Sequence, residues 1–206
     1  MPLKKPLFKP KDMKFILLGL LMTIVMAKPK AQEKWQIAKD KDGIKVYVSE
    51  VANSDYYAFK AIMSVNTIES KIVEILKDAN KYSDWFAFTA SAKLMSQTEN
   101  EQMVFIETDY PWPFANECMN YKMVFEKMQG NKLKVSIIGM NSAVKCDFAL
   151  KKAGGYILLE PENDKIKITY YFHSEPSQRI RSWLINPRIH EMPFQTLKEL
   201  RKKLNT

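Results

Sequence analysis

Apolar side chains recur first at every second position and later at every third or fourth. Ile44, Val46 and Val48 alternate with Lys45, Tyr47 and Ser49 behind the turn signal Asp40-Lys41-Asp42-Gly43. Tyr57, Phe59, Ala61, Met63 and Val65 alternate again after Asn53-Ser54-Asp55. Period two marks a strand with one face in a core, so these runs predict an N-terminal strand pair. Thr67 is expected to cap a helix that has Glu69 in its first turn. Ile68, Ile72, Val73, Ile75 and Leu76 then keep helical spacing as far as Asp78. Strand-like runs follow at 91–97, 102–110, 117–128, 132–140, 155–160 and 165–173, joined by the short connections typical of antiparallel sheets. Gly154-Gly155 reads as a turn into one of them.

From Ser177 the pattern turns helical once more. Ile180, Trp183, Leu184, Leu197, Leu200 and Leu204 fall mostly three or four apart, and Arg179, Arg181, Lys198, Arg201 and Lys202 lie on other faces. Pro187 and Pro193 each remove a backbone donor, which predicts a kink or break between Asn186 and Pro193. Strands, one helix, more strands and a long last helix make an α+β layout, not a parallel α/β one. The chain shows no internal repeat, linker or composition shift that would mark a second domain.

Composition supports a folded domain, with 46% hydrophobic and 12% aromatic residues and 27% charged ones. The net charge of +9 changes meaning once it is located. Residues 1–31 hold seven lysines against Asp12 and so carry six of the nine charges, leaving +3 on the rest. That remainder lacks the clustered basic surface that phosphate binding needs, and a nucleic-acid partner is not expected. The same N-terminal stretch has the form of an export signal. A basic segment ends at Lys14, an apolar run extends from Phe15 to Ala27, and small residues suit cleavage after Ala27 or Ala31. Met13 offers an alternative start. Thirteen helical residues cover about 20 Å, short of the roughly 30 Å of a bilayer core. The expected organisation is a signal peptide over 1–31, a domain over 34–204, and a periplasmic or secreted location.

Two cysteines suit an oxidising compartment without making a disulfide scaffold. Pairing 117–128 with 132–140 through the loop Gln129-Gly130-Asn131 sets Cys118 opposite Ser142, four positions short of Cys146. If the strand continued, that gap would be about 13 Å, beyond the roughly 7 Å a disulfide tolerates. The cysteines are therefore expected to stay unpaired. His173 and His190 are the only histidines, no Gly-x-Ser-x-Gly elbow occurs, and the cysteines and histidines lack metal-ligand spacing. No catalytic residue, metal or cofactor is assigned. Asp78, Asp84 and Glu107 are the carboxylates that could serve chemistry inside a cavity, and their simpler reading is a solvated loop or strand face.

Several segments taken in order resemble the START-like branch of the helix-grip proteins, within the Bet v 1-like (SRPBCC) superfamily. They are Lys39-Asp40-Lys41-Asp42-Gly43-Ile44-Lys45-Val46-Tyr47, Tyr82-Ser83-Asp84-Trp85, Pro111-Trp112-Pro113, Gly155-Tyr156-Ile157-Leu158-Leu159-Glu160-Pro161, Ile168-Thr169-Tyr170-Tyr171-Phe172 and Arg181-Ser182-Trp183-Leu184-Ile185-Asn186. One departure stands out: an Arg-Asp pair usually follows the Pro-Trp-Pro element, and Glu117-Cys118 occupies its place here. The resemblance implies a curved antiparallel sheet wrapped round a long C-terminal helix, with an elongated apolar cavity between them. It also implies a non-enzymatic binder or carrier of a lipid, sterol or other hydrophobic small molecule, monomeric and in transient contact with membranes.

Candidate wall residues, taken from the inward faces of strands and last helix, are Phe105, Tyr170, Phe172, Ile180, Trp183 and Leu184, with Trp85 nearby. Trp112, between two prolines, is expected to fill a rigid corner. A cyclase or hydratase on the same scaffold, and a protein-interaction module without ligand, are the alternatives.

Overall fold

All eight strand-like runs of the sequence form strands, and a ninth strand that the pattern did not predict, Gln36–Lys41 at the sheet edge, is exposed at five of its six positions. The computed structural model describes residues 34–140 and 146–205, so the expected signal segment and its cleavage positions lie outside the described residues. In chain order the elements are β1 Gln36–Lys41, β2 Ile44–Ser49, β3 Ala58–Val65, helix α1 Glu69–Lys77, a 3₁₀ segment Ala79–Asp84, β4 Thr89–Gln97, β5 Glu101–Thr108, β6 Glu117–Met128, β7 Lys132–Met140, β8 Lys152–Glu162, β9 Lys165–Glu175, a single turn α2 Ser182–Ile185, a 3₁₀ turn Asn186–Arg188, and α3 Glu191–Leu204. The strands form one antiparallel, curved sheet in the order β1-β2-β3-β9-β8-β7-β6-β5-β4. This is the α+β layout the pattern predicted, in the helix-grip form the resemblance implied.

The β6–β7 hairpin has the expected register, with Met128 opposite Lys132 and Asn120 opposite Met140. Gly130 and Asn131 turn it with φ of 73° and 55°. The start of α1 differs from expectation. Its N-cap is Ile68, which makes no side-chain cap, and Thr67 lies one residue earlier. Gly154 and Gly155 are inside β8 rather than in a turn. A Cβ on Gly155 would stand 2.1 Å from the Tyr171 carbonyl oxygen and 2.9 Å from Cδ2 of Phe172, so glycine is what allows β9 so close at this point.

The C-terminal pattern divides as the prolines required. α2 and the 3₁₀ turn end at Arg188, and Pro193 occupies the first turn of α3, where its missing N–H has no helical partner to lose. Phe194, Leu197, Leu200 and Leu204 turn one face of α3 into the core. Polar ties fasten the helix. Lys39 Nζ contacts both Glu191 oxygens at 2.9 Å, Arg201 donates to the Asp42 carbonyl at 2.8 Å, and Lys71 donates to the Leu204 carbonyl at 2.9 Å.

Cys118 and Cys146 are joined in a disulfide, with Cα atoms 6.5 Å apart, contrary to the expectation. The predicted register holds, but β7 ends at Met140 and the chain returns beside the start of β6. Cys118 N–H donates to the Phe148 carbonyl at 2.9 Å, and Leu150 N–H to the Cys118 carbonyl at 3.1 Å. Distance counted along a continuing strand was the wrong measure for a chain that turns back.

Candidate functional site

Inward positions of β5, β6, β7 and β9 face α3 across the concave side of the sheet. One row of neighbours runs Met123, Ile137, Gly155, Phe172, Phe59 from β6 through β7, β8 and β9 to β3. The glycine in mid-row leaves room that the Phe172 ring takes up. Tyr121 of β6 and Tyr170 of β9 flank that ring at 6.1 and 6.2 Å. From the other side come Tyr82 of the 3₁₀ segment, the linking residues Phe86, Ala87 and Phe88, and Met192 of α3. With Thr89, Ile106 and Thr108 they enclose a cavity of about 60 Å³ whose lining contains no charged residue, amide or histidine.

That volume is well below the roughly 300 Å³ at which ligand pockets ordinarily begin. The elongated cavity expected from the resemblance is therefore closed down in this conformation, and the cause is visible. Phe86 stacks on Tyr82 at 5.6 Å and meets Tyr170 edge-on at 5.8 Å, so aromatic rings fill the space between sheet and helix. The Phe86–Phe88 segment is tied to α3 by the Ala87 N–H, which donates to Thr196 Oγ1 at 3.1 Å. Phe88 is 49% exposed and has φ of 58°, a left-handed conformation that costs a bulky residue roughly 1–3 kcal/mol.

Of the seven wall candidates, Tyr170 and Phe172 line this cavity. Trp85 is buried against Tyr82 and Phe86, and it lines a separate charged groove with Lys71, Glu74, Asp78 and Lys203. Phe105 alternates with Val104 and Ile106 and so projects from the outer face; its parity matches Glu101 and Glu107, a signal present in the sequence. Ile180 is buried outside the lining, while Trp183 and Leu184 are exposed at 65% and 42%. Tyr121, Met123 and Ile137 were readable from the β6–β7 alternation. Phe86, Phe88 and Met192 were not, because they sit in an aperiodic link and at a helix start.

Burial drives the Tyr82, Tyr121 and Tyr170 hydroxyls far above the usual phenol range, so all three stay neutral. Nearby, fully buried Glu117 ties two segments together. Its carboxylate accepts from Ser177 N–H at 2.9 Å, Ser177 Oγ at 3.0 Å, Gln178 N–H at 2.9 Å and Gln178 Nε2 at 3.1 Å. Gln178 also donates to the Ala115 carbonyl at 2.7 Å, joining the 109–116 loop to the segment before α2. Trp112, at the tip of that loop, is 93% exposed and fills no corner. Of the two histidines, His173 lies within β9 with Nε2 3.1 Å from Ser54 Oγ, and burial lowers its pKa. His190 Nε2 lies 3.0 Å from Glu191 Oε1. Among the described residues no His, Cys, Asp and Glu group could hold a metal ion.

No protein-family model matches the chain. It is 28% identical over 173 residues to an uncharacterized protein of Pseudomonas aeruginosa, a match covering 82% of this chain and 86% of that one. The solved STAR-related lipid transfer protein from Xanthomonas axonopodis shares 31% identity at a TM-score of 0.79, over 84% of this chain and 99% of that one. Human StAR-related lipid transfer protein 5 superposes at a TM-score of 0.72 over 95% of this chain and 94% of that one, and its 10% identity makes this a likeness of fold alone.

Proposed function

The chain belongs to the STAR-related lipid transfer (START) family, and from that premise we propose that it binds, and passes on, a lipid or other apolar molecule held between its sheet and last helix, without covalent chemistry. The observation that carries the reading is a concave face lined by aromatic, aliphatic and thioether side chains with no charge among them. Holding an apolar chain there rests on removing hydrocarbon from water, about 0.8 kcal/mol per methylene. Room for it comes from displacing Phe86, Phe88 and Met192. The strained, half-exposed Phe88 favours that segment as the part that yields, with the Ala87–Thr196 hydrogen bond as its tie to α3. Met192, an unbranched thioether, reshapes at low cost.

Access is proposed at the end of the sheet where Phe88, Trp112, Trp183 and Leu184 are exposed. Asp109 N–H donates to the Phe88 carbonyl at 2.8 Å, and Gln178 bridges the Trp112 loop to the approach to α2. Exposed Arg179, Arg181 and Arg188 flank these apolar tips, a composition suited to brief contact with an anionic membrane surface. Failure of the protein to co-sediment with phosphatidylglycerol vesicles would remove the membrane step. The chain is further proposed to act as a monomer after export, a setting in which the Cys118–Cys146 bond can form.

The test is extraction of purified protein with organic solvent followed by mass spectrometry, together with titration of fluorescent fatty-acid and sterol probes. A retained, stoichiometric lipid or saturable probe binding is the expected result. An empty extract with no probe binding overturns the proposal.

A further inference from the structure

We infer that the molecule taken up between sheet and last helix is an uncharged amphiphile whose polar end is a hydroxyl, and not a carboxylate, phosphate or amine; this rests on the lipid-binding reading above. The polar side-chain groups lining the cavity are five hydroxyls, those of Tyr82, Tyr121, Tyr170, Thr89 and Thr108. A hydroxyl both donates and accepts and carries no charge, so this wall complements another hydroxyl and offers an ion nothing to neutralise it.

Tyr82 is already engaged, donating to the Leu76 carbonyl and accepting from Gln102 Nε2 at 3.1 Å. Tyr121 and Tyr170 are buried residues that line the cavity, and neither hydroxyl makes a hydrogen bond within the described residues. A hydroxyl that opens onto the cavity in this way can donate to, or accept from, an oxygen brought by the ligand. Burial, and after it the nearness of Tyr121 and Tyr82, raises the Tyr170 hydroxyl above the usual phenol range, so the three hydroxyls form one neutral group. Behind the lining, buried Gln102 directs Nε2 to the Leu76 carbonyl at 2.9 Å and to the Tyr82 oxygen at 3.1 Å, which holds the Tyr82 hydroxyl in place.

Charge is disfavoured on two counts. An ionised head group carried against this wall loses its hydration without gaining a counter-ion. Burial first, then Tyr110 and the Glu117 carboxylate, raise the Tyr121 hydroxyl; the carboxylate opposes an anion, and a cation would find its oxygens already accepting from Ser177 and Gln178 and so make no direct bond to them.

The test uses three amphiphiles with the same chain, 1-dodecanol, dodecyl phosphate and dodecylamine, competing with N-phenyl-1-naphthylamine for the purified protein. Dodecanol is expected to displace the probe at concentrations at least about 10-fold lower than either ion. Tyr121→Phe and Tyr170→Phe keep the rings and are expected to weaken dodecanol about 5-fold each relative to the probe measured on the same variant. Equal or tighter binding of dodecyl phosphate or dodecylamine overturns the inference, as do tyrosine variants that leave dodecanol affinity intact. If a variant loses the probe as well, the wild-type ranking of the three amphiphiles decides. Absence of binding by the probe and all three amphiphiles overturns the lipid-binding reading itself, and the inference with it.

Discussion

Breaking the Cys118–Cys146 bond is the sharpest test of the fold, because its cost can be worked out before the measurement. The bond closes a loop with a sequence separation of 28. For a loop of that size the chain-entropy relation gives about 12 cal/mol/K, or about 3.6 kcal/mol at 25 °C, lost from the unfolded ensemble. The native contacts around it persist without the bond, since the backbone pairing of Cys118 with Phe148 and Leu150 does not depend on sulfur. The Cys118→Ala/Cys146→Ala double variant should therefore keep its far-ultraviolet spectrum. For a domain of about 170 residues the unfolding entropy is roughly 0.36 kcal/mol/K, so the loss corresponds to a fall in Tm of about 10 °C. Calorimetry of the two proteins, alongside urea melts with and without reductant, makes the comparison. Two thiols titratable in denaturant without reductant, or an unchanged Tm in the double variant, would refute the argument.

Three further outcomes follow from named contacts. Glu117→Ala leaves the half-buried Ser177 and Gln178 donors without their acceptor, and should cost about 1–3 kcal/mol in urea melts and speed hydrogen exchange around residues 176–181, whereas Glu117→Gln should cost less. An unchanged exchange profile would remove Glu117 from its structural part. Gly155→Ala sets a methyl against the Tyr171 carbonyl oxygen at 2.1 Å and should destabilise by about 1–3 kcal/mol while altering probe binding beside Phe172; a neutral effect on both would contradict the close approach of β8 and β9. The Glu191 carboxyl is held below the ordinary value of 4.5 by the Lys39 hydrogen bond, and Glu160 by Lys132 and Lys167. Their contribution is present above that ordinary value and is lost as acid takes the pH down through the lower folded values. Urea melts from pH 7 to pH 3 should show this decline, weakened in Lys39→Met; a variant as acid-sensitive as the parent would remove the Lys39–Glu191 pair from the account.

Local patterning by itself determined eight of the nine strands, the helix break and much of the inner face. Period-two alternation in 44–48, 57–65 and 117–140 is a local property, because successive side chains on a strand take opposite sides whatever lies across from them. The three-residue loop fixed the β6–β7 register for the same reason, and Pro187 and Pro193 ended a helix through their own backbones. Which apolar residues meet was decided only by tertiary structure. Cys146 reaches Cys118 because the chain turns back after Met140, a long-range event that strand counting cannot express. Helical spacing grouped Trp183 and Leu184 with Leu197 and Leu200, yet the break before α3 rotates the first pair into solvent. The closing of the cavity by Phe86, Phe88 and Met192 comes from an aperiodic link docking against a distant helix. Periodicity reports the face a residue occupies on its own element; what that face packs against depends on how far the sheet curves and where the last helix comes to rest.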